Sequence, residues 1–246
     1  MRTYASYNIK GGVGKTSAAV NLAYLAARDG ARTLLWDLDP QGSATYLFRV
    51  RPKVRGGGRA LISRRRDLDD VIKETDIPRL DLVPADFRYR SMDLDLDDRK
   101  KPTLALRQLV RGVDDDYDVV ILDCPPSASL VSENVLEAAD MLIVPLIPTT
   151  LSVHTFGQLR EFVGDFDGRR PAIRAFFSMA DRRKRLHHEV MAALLAGIGE
   201  EITGIVVPSA STVEQMAVRR EPLPLFAPNS EAARAYEALW AVVSAG

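Results

Sequence analysis

Apolar residues along this chain fall into short, nearly unbroken runs separated by longer stretches with helical spacing. The runs at residues 3–8, 32–38, 80–83, 117–122, 141–146, 173–179 and 202–207 have strand length. Between them, residues 15–28, 103–110, 130–138, 153–163, 189–196, 212–219 and 230–243 repeat apolar positions every three to four residues, as amphipathic helices do. Gly30 stops the first of these helices. Strands without a polar face must be covered on both sides, so the expected fold class is α/β. It is a doubly wound, mostly parallel β-sheet flanked by helices, with ligands bound at the carboxyl ends of the strands. Residues 49–101 break the alternation. Eight basic residues and no acid lie within 49–66, around the triplet Gly56-Gly57-Gly58, and residues 93–98 are acidic. The expectation is an irregular, partly mobile segment inserted in one domain that spans 1–246.

Composition changes this picture in three places. Lys and Arg together number 33, as do Asp and Glu, so no global basic field draws in nucleic acid and any such contact must come from local clusters. The single cysteine, Cys124, excludes an internal disulfide and a cysteine-clustered metal site. No apolar run reaches the roughly 20 residues of a membrane span, and the first strand begins almost at residue 1. A cytoplasmic protein without a signal peptide or membrane contact is expected. The last helix places Leu239 and Trp240 at packing positions and reads as core-facing. His154, His187 and His188 have no metal-ligand spacing and are expected on the surface or on helix faces.

The chemistry concentrates at the ends of three strands. Lys10-Gly11-Gly12-Val13-Gly14-Lys15-Thr16 follows the first strand and opens the first helix. Glycines there let successive N–H groups converge on phosphate oxygens, and the helix adds its positive end. Lys15 supplies a charge for the β- and γ-phosphates of a nucleotide triphosphate, and Thr16 a hydroxyl for Mg²⁺. A plain G-x-x-x-x-G-K-[ST] loop would have glycine at position 9. This chain has Ile9, and carries a second lysine, Lys10, at the front of the loop. Asp123 ends the apolar run before Cys124-Pro125-Pro126, where a buried carboxylate calls for a cation such as Mg²⁺. Asp37 and Asp39 flank Leu38 at the end of the second strand. Their alternation suits one carboxylate to the Mg²⁺ shell and the other to an attacking water. Gly42, Ser43 and Thr45 form a polar loop suited to a nucleotide-dependent switch.

Taken in this order, the phosphate loop, the Asp37-Leu38-Asp39-Pro40-Gln41-Gly42 segment and the 117–126 strand resemble the deviant-Walker ATPases of the ParA/MinD family, P-loop proteins of the short ParA/Soj type. The likeness extends weakly to 138–148, 176–182 and Val207-Pro208. It implies a homodimer that sandwiches ATP, with Lys10 reaching the partner's nucleotide. Lys15 and the loop residues Gly11, Gly12, Val13, Gly14, Thr16 and Ser17 would hold the phosphates. Thr16 and Asp123 would hold Mg²⁺, Asp39 would orient the hydrolytic water, and Pro208 would lie against the adenine. The resemblance also implies slow hydrolysis stimulated by a ParB-like or other adaptor, and non-specific DNA binding with nucleoid association. Arg182-Arg183-Lys184-Arg185, Arg219-Arg220 and the 49–66 run are the candidate DNA surfaces, since clustered cations give sequence-blind affinity. One departure stands out: Pro208-Ser209-Ala210-Ser211-Thr212 lacks the arginines that chromosome-partition relatives often carry there. The other reading of the same residues is a nucleotide-gated regulator of a protein complex without DNA transport.

Overall fold

A computed structural model describes residues 1–245; Gly246, the last residue of the expected domain, lies outside the described residues. The amino-terminal half runs β1 (Arg2–Ser6), α1 (Lys15–Arg28), β2 (Thr33–Asp37), α2 (Ser43–Leu47), α3 (Gly57–Ile62), β3 (Lys73–Glu74), β4 (Leu80–Val83), α4 (Met92–Asp97), α5 (Ala105–Arg111) and β5 (Val119–Asp123). Then follow α6 (Leu130–Ala138), β6 (Met141–Leu146), α7 (Thr150–Asp165), β7 (Ala172–Ala180), α8 (Arg185–Gly197), β8 (Ile202–Pro208), α9 (Ser211–Arg219), α10 (Leu223–Phe226) and α11 (Glu231–Ala245). The eight strands form one sheet in the order β3-β4-β2-β5-β1-β6-β7-β8. Every pair is parallel except β3–β4. The chain works outward from β1 in one direction, returns through β5 and then works outward in the other. Brought together at that reversal are the carboxyl ends of β1, β2 and β5.

Alternate strand residues feed two separate cores, which is why the strands read as unbroken apolar runs. Trp36, Leu122, Val144 and Phe177 pack on one face with α3 to α8. Leu35, Ile121, Ile143 and Phe176 pack on the other with α1, α2 and α9 to α11. Tyr4 meets Trp240 edge to face at 5.7 Å, which fixes α11 in the core, as the Leu239-Trp240 spacing predicts. Full burial of each such side chain stabilises the fold by roughly 1.5–3 kcal/mol. Both sheet margins are irregular. β3 is a two-residue strand, Lys73-Glu74, exposed and antiparallel. β8 pairs with β7 through two register shifts and contains Gly204 in the left-handed region, φ 73.

Segment 49–101 differs from the sequence expectation. It holds α3, β3 and α4, and its residues Val54, Leu61, Leu68, Val71, Tyr89 and Leu96 are buried in the first core. Apolar residues scattered among charges gave no clear period, yet each finds the core. Asp86 anchors the segment. Its carboxylate accepts from the Val54 and Arg88 backbone N–H groups at 2.9 Å and from the Arg88 guanidinium at 2.8 and 2.9 Å. A second difference is α2, where a loop is expected. Gly42 caps it at φ 67, a conformation that suits glycine, and buried Ala44 and Leu47 hold it down. Two helices extend well beyond their periodic cores, since polar end turns carry no apolar signal: 153–163 becomes Thr150–Asp165, and 189–196 becomes Arg185–Gly197; 15–28 and 130–138 match their helices.

Candidate functional site

The loop between β1 and α1 is shaped from both sides. Asn8 accepts from the Lys10 backbone N–H at 2.9 Å and donates to the Pro145 carbonyl at 2.9 Å, tying the loop entry to β6. Ser6 donates to the Lys15 carbonyl at 2.8 Å, fixing the first turn of α1 against β1. Gly12 and Gly14 lie in the left-handed region, at φ 68 and 96. A Cβ on Gly14 would come within 2.8 Å of Ser178 Oγ, so glycine is required there for conformation and for space. The first turn of α1 has no acidic residue and no side-chain cap, which leaves its N–H groups to an anion. The roles of Asn8 and Ser6 are not evident in the sequence, and Ser178, within the 176–182 stretch of the resemblance, is not singled out there as a neighbour of Gly14. The polar Ser6 and Asn8 inside an apolar strand, just ahead of the glycines, were the available signal for two of them.

Lys15 is buried, 6% exposed, and its ammonium donates to the Lys10 carbonyl at 3.1 Å across the loop. Burial lowers its pKa, opposed by the neighbouring Cys124 and Asp123. Asp37 and Asp123 stand side by side in register on β2 and β5, both 0% exposed. One oxygen of Asp37 accepts from the Thr45 N–H at 2.8 Å and from its hydroxyl at 2.7 Å. That hydroxyl in turn accepts from the Ala85 N–H at 2.8 Å. The other oxygen of Asp37 and both oxygens of Asp123 are buried without a hydrogen-bond partner. Burial pushes Asp37 up to about 6 and Asp123 well above the usual carboxylate range. The Thr16 hydroxyl and Lys15 oppose the Asp123 shift in part, but neither completes a hydrogen bond of good geometry to it.

Three orphaned carboxylate oxygens beside an anion-binding loop fit a hard, oxygen-seeking cation such as Mg²⁺. Two of these oxygens belong to Asp123 and one to Asp37, at the paired strand ends. Among the described residues no group of three His, Cys, Asp or Glu side chains could enclose a metal alone. The donor set is therefore one that phosphate and water would complete, as Mg²⁺ prefers. Asp39 lies at the edge of this group, half-buried, with its carboxylate accepting from the Gln41 N–H at 2.9 Å. Cys124 is buried and its thiol is pushed well up by that burial, so it packs rather than reacts. Tyr7 donates to the Ser127 carbonyl at 2.6 Å, which holds the Pro125-Pro126 turn over the loop.

Beyond α1 a cleft is lined by Gly14, Ser17, Ser178, Met179, Pro208 and Tyr236. Ser17 and Pro208 thus share one cleft with the phosphate loop. Met179 stands in the left-handed region at φ 52 with its side chain toward Gly14.

The basic clusters are not alike. Arg182 pairs with Glu231, Arg183 with Asp181 at 3.0 Å and Arg185 with Glu189 at 2.7 Å. Arg219 lies over the Phe226 ring and Arg220 over the Tyr46 ring. His187 lies on a buried face of α8, and its Nδ1 accepts from the Asp181 N–H at 3.0 Å.

Comparison with known proteins gives this geometry a family. A family model described as an AAA domain matches residues 1–174. The chromosome-partitioning ATPase Soj of Thermus thermophilus is 34% identical over 243 residues, which is 97% of this chain and 94% of that protein. The chromosome partitioning protein ParA of Caulobacter vibrioides is 29% identical, over 96% of this chain and 91% of its own length. A crystal structure of cobyrinic acid a,c-diamide synthase from Mycobacterium smegmatis, with bound ADP and magnesium, superposes with a TM-score of 0.83 at 26% identity. That superposition covers 99% of this chain and 94% of the other. With its sheet order and phosphate loop, the chain belongs to the ParA/MinD family of deviant-Walker ATPases, of the ParA/Soj type.

Proposed function

We propose that residues 1–246 act as a single ATPase domain that dimerises around ATP, binds DNA without sequence preference and partitions or positions a cargo. The observation that carries the nucleotide chemistry is the set of orphaned oxygens on Asp37 and Asp123 beside the loop. Backbone N–H groups of residues 11–16 receive the phosphates, and Lys15 exchanges the Lys10 carbonyl for phosphate oxygen. Thr16 and Asp123 hold Mg²⁺, which when bound would neutralise charge on the β- and γ-phosphates. Asp39 orients the attacking water from the edge of the site. Lys10 reaches into the partner's site: its ammonium has no acidic partner among the described residues. A cation supplied in trans is worth on the order of 10³-fold in rate, or about 4 kcal/mol of barrier. Adenine occupies the cleft at Ser17 and Pro208. Hydrolysis is slow and partner-stimulated, so the nucleotide acts as a timer. The ParA and Soj relatives are named for chromosome partitioning, which supports a DNA or protein-complex cargo handled on the nucleoid through a ParB-like adaptor.

The test is light scattering and duplex-DNA binding with ATP and with ADP, using Asp39→Ala to hold the ATP state. A dimer that binds DNA only with ATP, and loses it with salt, is expected. A monomer in ATP overturns the sandwich. A dimer that ignores DNA at low salt leaves the nucleotide-gated regulator as the function.

A further inference from the structure

Four segments with basic side chains, the end of α9, the end of α2 with Arg49, the 51–55 loop and the turn after β4, are joined by hydrogen bonds or directly along the chain. Arg220 stacks on Tyr46 at 4.4 Å and donates to its carbonyl at 2.8 Å, fastening the end of α9 to α2. Arg49 donates to the Arg219 carbonyl at 3.0 Å. The 51–55 loop is fastened in turn to the turn after β4. There Val54 is buried, its N–H bonds Asp86, and its carbonyl accepts from Arg88. Arg90 lies over the exposed Phe87 ring at 4.4 Å.

Charge along this ridge is unbalanced. Asp76 and Glu221 face Arg49 and Asp86 is buried, while the acids of α4 follow Arg90 and one of them, Asp95, faces Arg59. Arg51, Lys53 and Arg55 are exposed, and among the described residues their side chains have neither an ion pair nor a hydrogen bond. Their backbone is nevertheless held on both sides of Val54, so the cations are presented at little ordering cost. The contrast is with Arg182, Arg183 and Arg185, each of which faces its own carboxylate. A phosphate approaching there must displace an existing partner.

We infer that the ridge Arg51-Lys53-Arg55, continued by Arg90 and Arg220, is the surface that grips the phosphate backbone of duplex DNA. This rests on the DNA-binding reading above and names its site. The base of the ridge adjoins the Asp37 carboxylate. Pro52 lies 3.7 Å from the position of a Cβ on Gly42, and Thr45 links the Asp37 carboxylate to Ala85 at the base of the same ridge.

The test uses the full chain with ATP and a fluorescent 40-base-pair duplex of random sequence. Two triple variants with equal charge change are compared: Arg51→Gln/Lys53→Gln/Arg55→Gln and Arg182→Gln/Arg183→Gln/Arg185→Gln. None of the six residues touches the nucleotide site, so unchanged ATP-dependent dimerisation certifies both folds. The first variant is expected to lose at least tenfold in affinity near 0.1 M salt. Its slope of log affinity against log salt should fall by about 3, near 0.9 for each lost phosphate contact. The second is expected to change less than threefold. If the ridge variant binds like the unaltered protein, or the two variants lose equally, the ridge is overturned while DNA binding stands. If the unaltered chain with ATP ignores the duplex, both readings fall together.

Discussion

Asp86 and Asp123 are buried carboxylates at the same end of one sheet, and they are in opposite electrostatic condition. Asp86 accepts four hydrogen bonds, two from backbone and two from the Arg88 guanidinium, and its pKa is lowered although burial works the other way. Asp123 accepts none and is raised well above the usual range by burial. The first is a structural fastener, complete in itself. The second is held in an unfavourable state by the surrounding strands, as a group awaiting a cation would be.

That contrast can be broken most severely by Asp123→Asn. A lost metal ligand is worth several kcal/mol of transition-state stabilisation, so ATP turnover should fall by about 10²-fold or more. Melting of the ligand-free protein should hold or rise, because an uncompensated buried carboxyl is replaced by a neutral amide. Fusion of the two effects, with stability and turnover lost together, would make Asp123 a fastener after all. The complementary variant is Asp86→Ala. It strands the Val54 and Arg88 N–H groups, and about 2–3 kcal/mol of stability should go, discounted because Arg88 is half exposed. In a chain of this size that lowers Tm by roughly 5–10 °C, while nucleotide affinity of the folded fraction stays within about twofold. Calorimetric titration with ATP, beside thermal melting, reads both.

The smallest effect concerns a neutral counterpart. His187 must be unprotonated to accept from the Asp181 N–H, and burial lowers its pKa below the ordinary 6.5. The unfolded chain therefore takes up the proton first. Stability from this contact is fully present above about pH 6.5 and declines as pH falls through and below that value. Hydrogen exchange at the Asp181 amide should quicken on acidification beyond its intrinsic pH dependence, and His187→Gln should flatten the trend. No pH dependence in the parent would remove His187 from the account.

The sequence disclosed the phosphate loop and the strand-end aspartates because their chemistry is local: glycines beside Lys15-Thr16, and a carboxylate closing an apolar run, have few other uses. It also disclosed the layer order, since strands buried on both faces admit few arrangements. What it concealed depends on distant partners. Asn8 bridging to Pro145, Ser178 limiting Gly14, and Thr45 spanning Asp37 and Ala85 join residues far apart in the chain. The basic clusters looked equivalent for the same reason. Only the fold shows that Glu231 answers Arg182 while Arg51, Lys53 and Arg55 are left facing solvent. Segment 49–101 was the least legible stretch, because its core residues keep no period of their own.

The margins of the sheet carry a last consequence. Strand edges carry open N–H and C=O groups that invite further strands. Here the outermost strand on one side is two residues long, Lys73-Glu74, charged and reversed in direction. On the other side β8 is put out of step with its neighbour by two register shifts and a left-handed glycine. Neither margin offers a straight template for growth. The strand edges thereby leave no long, straight ladder on which a second molecule could extend the sheet.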